Sequence, residues 1–181
     1  KDIKKVLVAE NYLKGHLPVG KNVAMVLNED EGDPGYTMVI GTDFDAYRKF
    51  FPDNFTTIEG RLPLKGETGI IIPKKTREDL YDQMDYWLAP GGAKPDPSNL
   101  TDDAKKAGNN LIVKDTPVFM GLTDGNSTSD IRLPVRGIIR YNALNTIWGH
   151  FSIMDIESFR QCLGYFSASD LTVEIPKEKK V

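Results

Sequence analysis

The sequence predicts an α+β domain, with mixed β-sheet and short packed helices, on three observations. Three segments share one layout: a short apolar strand, a polar break, then a short amphipathic helix. Two further pairs of apolar stretches flank polar turns rich in Gly, Asp and Asn, the chemistry that closes hairpins. The longest apolar runs, at Ile70–Ile72, Leu111–Val113 and around Val39–Ile40, are of strand size and far short of the ~20 residues of a membrane-crossing helix. Helices laid on a sheet bury such faces with the fewest layers.

In chain order, Val23–Leu27 and Tyr36–Ile40 bracket an acidic turn beginning at Asn28 and form the first hairpin. The strand Tyr36–Gly41 also opens the first strand–helix unit. Asp43 follows as helix-start chemistry, and Phe44, Tyr47 and Phe51 recur at helical spacing. In the second unit, Gly69–Pro73 precedes Thr76-Arg77-Glu78-Asp79, which fits a capping box. Leu80, Met84 and Trp87 then share one face of a helix expected over Thr76–Trp87. From Leu88 to Asn110 the texture changes to Pro, Gly, Lys and Asp, with little to bury. This stretch is expected to be a mobile surface insertion holding one helical turn near Thr101–Ala107. Strand-like stretches Asn110–Phe119 and Asp130–Tyr141 follow, joined by a hairpin tip that starts at Thr123. The alternation Ile131, Leu133, Val135 slips at Gly137, the mark of a bulge. The third unit is Phe151–Met154, with Asp155 as N-cap and Ile156, Phe159 and Leu163 as the stripe. The whole, residues 1–181, reads as one domain with an insertion at about 88–110.

Of the 181 residues 40% are hydrophobic and 27% charged, and the net charge of −3 gives no basic footprint for nucleic acid. Lysines gather at both ends (Lys1, Lys4, Lys5 and Lys177, Lys179, Lys180), which reads first as solvated termini. The single cysteine, Cys162, excludes an intramolecular disulfide and sits in an apolar helical pattern, where a buried inert thiol is the default. The chain starts at a lysine with no leader pattern, so it reads as a piece of a longer protein.

A search for chemistry yields no catalytic, cofactor-binding or metal-binding residues. His16 and His150 are isolated in sequence and belong to no paired metal motif. The turns Asn28-x-Asp30-x-Gly32 and Asp124-x-Asn126-x-Thr128-x-Asp130 space oxygen ligands as calcium loops do. The closing bidentate Glu is missing, since Val39 and Val135 hold that position, and plain hairpin tips use the same residues. Asp43-Phe44-Asp45 after a strand resembles the Asp-x-Asp start of haloacid-dehalogenase phosphatases, but Ala46-Tyr47 continue a helical stripe and an N-cap explains the same letters. The sequons at Asn54, Asn99 and Asn126 are short enough to arise by chance. Gly60-Arg61 reads as a tight turn followed by a structural anchor.

The order of these pieces resembles that of MacB-like periplasmic core domains of ABC transporter permeases, the superfamily that includes FtsX-like proteins and lipoprotein-releasing permeases. Five segments carry the resemblance: Val39-Ile40-Gly41-Thr42-Asp43, then Ile58-Glu59-Gly60-Arg61-x-Pro63, then Gly66-Glu67-x-Gly69-Ile70-Ile71-Ile72, then Leu133-x-Val135-x-Gly137-Ile138-Ile139, and last Ile153-Met154-Asp155 with its helix. It covers roughly residues 20–175. The family's Gly-Asp before the long hairpin is replaced by Gly108-Asn109-Asn110, and residues 85–110 look inserted.

The resemblance implies two lobes, a β–α–β lobe near the membrane and a more variable distal lobe. It implies an extracytoplasmic position between membrane helices of a bacterial inner-membrane permease, and no enzymatic activity, cofactor or metal. The implied partners are a cytoplasmic ATPase, a second permease copy or paralogue, and a periplasmic adaptor or lipoprotein chaperone. The implied role is to transmit conformational change and to bind partner or cargo during export of lipoprotein, peptide or drug. A cell-surface or periplasmic ligand-binding or adhesion module is the alternative, expected to show a deep pocket. A small hydrolase is the third reading, expected to show clustered titratable groups with perturbed pKa values.

Overall fold

In the computed structural model, residues 15–29, 32–122 and 129–165 are described. Their strands are Val19–Leu27 (β1), Gly35–Thr42 (β2), Phe55–Gly60 (β3), Ile70–Pro73 (β4), Tyr86–Leu88 (β5), Ile112–Lys114 (β6), Val118–Gly121 (β7), Asp130–Arg132 (β8), Val135–Tyr141 (β9) and Phe151–Asp155 (β10). The α-helices are Phe44–Phe50 (α1), Lys74–Met84 (α2), Asp102–Ala107 (α3), Asn145–Trp148 (α4) and Ile156–Cys162 (α5). The architecture is the expected mixed α+β one: a large mixed sheet, a small parallel sheet and short helices.

Eight strands form the large sheet in the order β3-β9-β4-β10-β2-β1-β7-β8, and β5 pairs with β6 in the small one. The pairs β4–β9 and β2–β10 are parallel, and the other pairs of the large sheet are antiparallel. In a flat sheet β8 and β9 would stand six strand spacings apart, about 29 Å. Only Leu133 and Pro134 join them, and three backbone steps reach at most about 11 Å. The sheet therefore curls strongly, and the curl brings Leu133 and Val135 into one core with Val26 and Phe119.

Both faces are covered, which explains the runs of consecutive apolar residues. On one face, Val39, Ile70, Ile72, Ile138 and Met154 pack with Leu80 and Met84 of α2 and Phe159 of α5. On the other, Ile40, Ile71, Ile139 and Ile153 pack with Phe44 and Tyr47 of α1. Successive side chains of a strand point to opposite faces, so each Ile-Ile pair feeds both layers. The bulge expected at Gly137 is present: Ile70 pairs with Val135 and Ile71 with Gly137, which leaves Arg136 as the extra residue.

Several local expectations shift. The helix of the second unit starts two residues early, after Pro73, with no side-chain cap. Thr76 lies inside it and donates its hydroxyl to the Gly149 carbonyl at 2.7 Å, so the capping box does not form. The helix stops at Asp85, whose φ of 58° is left-handed, and Trp87 belongs to strand β5. Phe51 caps α1 and is exposed, outside the buried stripe of Phe44 and Tyr47. The stretch Asn110–Phe119 is two strands in two different sheets, β6 and β7. The helical turn near Thr101–Ala107 is α3, capped by Thr101 Oγ1 from Ala104 N at 3.2 Å. The 88–110 segment buries more than its composition promises. Ala89 and Ala104 are fully buried against Tyr81 and Trp87, with Leu100, Leu111 and Val113 packed around them. The apolar floor comes from residues outside the segment, so the composition of the segment does not reveal it. The tip at Thr123 and both lysine-rich ends lie outside the described residues, as does Asp30 of the acidic turn.

Candidate functional site

Strands β2, β3, β4, β9 and β10 all present one terminus at the same end of the large sheet. Strands β2 and β10 run parallel side by side, and an aspartate, Asp43 just after β2 and Asp155 at the end of β10, caps the next helix. Asp43 accepts from Ala46 N and Asp155 Oδ1 from Ser158 N, both at 2.8 Å. Each carboxylate satisfies a first-turn N–H that has no intrahelical partner. Asp155 also accepts from Gly69 N through Oδ2 at 3.1 Å, which ties the end of β10 to the start of β4.

Beside these caps the loop from Arg61 to Thr68 folds around Glu67. The Arg61 guanidinium meets the Glu67 carboxylate as a fork, with both N–H···O distances 2.7 Å. Leu64 N donates to the same carboxylate at 2.8 Å, and Arg136 Nη1 lies 3.1 Å from Oε1. Arg136 Nε donates to the Thr68 carbonyl, while Arg61 N donates to the Arg136 carbonyl, both at 2.9 Å. The Arg61 hydrogen bonds, the Leu64 N–H and the two positive charges hold the Glu67 carboxyl down at about 2. The staple is sterically specified as well. Gly60 has φ +68°, and a Cβ there would collide with the Arg136 carbonyl and the Pro90 ring. Arg61 is thus an anchor, as expected, and its partner is Glu67.

A shallow cleft of about 310 Å³ opens between the caps and the staple, lined by Thr42–Asp45, Leu64–Thr68 and Asp155–Glu157. Its carboxylates are engaged: Asp43 and Asp155 in caps, Glu67 in the staple, Asp45 with Arg48 and Glu157 with Arg160. Asp43 and Asp45 both serve the start of α1, Asp43 as its cap and Asp45 in its first turn.

The other residues singled out from sequence lie elsewhere. His150 is exposed, with Nδ1 3.3 Å from Asp79 Oδ2, and it faces a second shallow hollow with Thr37 and Thr76. His16 lies in the segment leading into β1, on another element. Among the described residues no three His, Cys, Asp or Glu side chains gather as a metal site would require. Cys162 is buried, and burial pushes its thiol up to about 11. Asn28 of the acidic turn bonds the Tyr86 hydroxyl and the Met84 carbonyl.

One cluster joins residues that the sequence placed in separate motifs: Arg77 in the capping box, Glu59 beside Gly60 and Trp87 on the helix face. Arg77 is fully buried inside α2, pairs with Glu59 Oε2 of β3 at 2.9 Å, and stacks 4.3 Å from the centroid of the Trp87 ring. Arg77 Nε and Nη2, Glu59 Oε1 and Trp87 Nε1 make no hydrogen bond among the described residues. The sequence does carry a signal for it: Arg77 sits three and four residues before Leu80 and Tyr81, on the apolar stripe of its helix.

No model of a known protein family matches the chain, and no curated protein does.

Proposed function

We propose that this chain is the extracytoplasmic domain of an ABC-exporter permease, which carries movement and docks partners and does not turn over a substrate. One observation carries the reading. The five segments whose order resembles that permease family are spread over more than a hundred residues, and all five meet at one end of the sheet. Thr42 and Asp43 line the cleft; Gly60-Arg61, Gly66-Glu67 and the Arg136-Gly137 bulge form the staple; Asp155 joins both. A bidentate Arg–carboxylate pair is directional, and a second arginine locks the same carboxylate. Strand ends tied in this way move together, as a domain that passes displacement onward requires.

The test is made in the full-length protein with its ATPase. Arg61→Ala combined with Glu67→Ala is expected to lower the amount exported per ATP hydrolysed, while the domain keeps its circular dichroism spectrum and ATP binding persists. Export at the parental ratio in that variant, or export that needs no ATPase, overturns the reading.

A further inference from the structure

The opposite end of the large sheet has a different surface. There β4 and β9 end, β3 and β10 begin, and the turn after β9 leads through α4. Leu144, Ile147 and Trp148 on that turn are 63%, 57% and 40% exposed. They lie within five residues of chain at and just before α4, and the Trp148 ring leans on Phe151 at 5.4 Å between centroids. Leu144 has φ +51°, a conformation a bulky side chain rarely adopts, so the backbone of this turn is strained. Phe50 and Phe51, also exposed, form the end of α1, just before the adjoining loop. Asn142 stitches the two loops together, its N bonded to the Asn54 carbonyl at 2.9 Å and its Nδ2 to the Asp53 carbonyl at 2.8 Å.

Positive charge borders this apolar turn. Lys74, Lys75 and Arg140 share a hollow with the imidazole of His150 beside Thr146, with a single carboxylate, Glu78. Glu78 holds Lys74 only loosely at 3.9 Å, and Asp79 nearby pairs with Lys75 and His150. Arg140 makes no ion pair among the described residues.

We propose that this end of the domain, with Leu144, Ile147 and Trp148 as an apolar wedge and Arg140, Lys74 and Lys75 as its cationic rim, docks on an anionic phospholipid surface. Two features select lipid as the occupant. Exposed aliphatic side chains beside a tryptophan enter the headgroup region, where an indole is stabilised at the boundary of water and hydrocarbon. The cationic rim complements acidic headgroups, each lysine or arginine near such a surface strengthening binding about fivefold. The inference stands apart from the export reading, because it concerns this chain and lipid alone, without ATP or a partner.

The test titrates the 181-residue chain with vesicles of phosphatidylcholine, with and without phosphatidylserine, and follows tryptophan emission. Of the two tryptophans Trp87 is fully buried, so the signal belongs to Trp148, and the Trp148→Phe variant supplies the background. Serine-containing vesicles are expected to shift the emission to the blue. Arg140→Ala should weaken binding about fivefold, and Leu144→Ser with Ile147→Ser should abolish it at an unchanged melting temperature. Equal binding to pure phosphatidylcholine, or no binding to either vesicle, overturns the proposal. Lipid-free self-association in sedimentation that the Leu144→Ser and Ile147→Ser pair removes also overturns it, by assigning the face to a second copy of this chain.

Discussion

Two ion clusters hold this fold, and they are built on opposite terms. The staple of Arg61, Glu67 and Arg136 stands at a solvent-facing end of the sheet, and its carboxylate is met by a fork, a backbone N–H and a second arginine. The pair of Arg77 and Glu59 lies between α2 and β3 with Arg77 out of water altogether, and four polar atoms of its neighbourhood have no partner among the described residues. Water screens the first cluster, so its worth is geometric: it fixes where strand ends lie and contributes little stability. The second sits in a low-dielectric setting, where the face of Trp87 and a single carboxylate oxygen offset the desolvation of a guanidinium. A fully satisfied pair can be exposed and cheap to lose. A half-satisfied pair in the interior is dangerous to break on one side.

The contrast makes removal of Glu59 the most damaging of these changes. Glu59→Ala leaves the buried Arg77 without a counter-charge and is expected to cost about 3–5 kcal/mol in chemical denaturation. The double change Glu59→Leu with Arg77→Met removes both charges and should leave the protein no less stable than the parent. A double variant as unstable as the single one breaks the argument, because the loss would then come from packing. At the staple, Gly60→Ala should cost about 1–3 kcal/mol, since the left-handed backbone and the Arg136 carbonyl both resist a Cβ. A neutral result would mean that the turn between β3 and the Arg61 loop relaxes freely.

Smaller effects follow at the caps. Asp155→Ala removes the acceptor of Ser158 N and is expected to destabilise by about 1 kcal/mol. Asp43→Ala should cost less, because Asp155 also binds Gly69 N and Asp43 has a single capping bond. Equal losses at the two positions would show that the tie to β4 contributes nothing. The smallest effect is the pH dependence of Glu67. Its carboxyl is held at about 2, below its ordinary value of 4.5, so it favours the folded state fully above about pH 4.5. That contribution fades as the pH falls toward 2. The parent protein should therefore lose more melting temperature than Glu67→Gln between pH 5 and pH 2, a window set by those two values. Parallel melting curves across that window would show that the fork is absent in solution.

Much of the fold is legible in the amino-acid sequence. The strands at Tyr36–Gly41, Gly69–Pro73 and Phe151–Met154 appear where expected, and Asp43 and Asp155 cap the helices assigned to them. These features are local: a cap and its N–H partner lie three residues apart. The second helix is less legible. Trp87 falls three residues beyond Met84, so it continues the helical spacing by coincidence, while the left-handed Asp85 has already ended the helix. Thr76 carries the letter of a cap and instead reaches Gly149, a residue 73 positions away. Of the candidate site, Arg61 is legible as an anchor, but nothing near it in the chain names Glu67 and Arg136 as its joint partners.

The sequence by itself determined the local elements, because capping, backbone conformation and two-residue or 3.6-residue periodicity depend on neighbours within a turn of chain. It determined also that both faces of the central strands would be buried, since Ile70-Ile71-Ile72 and Ile138-Ile139 leave no polar face. Only the tertiary structure decided the strand order, the curl that sets β8 close to β9, and the gathering of five distant segments at one sheet end. It alone made Arg77 and Glu59 a pair, across 18 residues of chain. Which distant strands pair is chosen by the free energy of the whole packed core. No window of sequence contains that quantity, because each pairing is favourable only when all the others have formed.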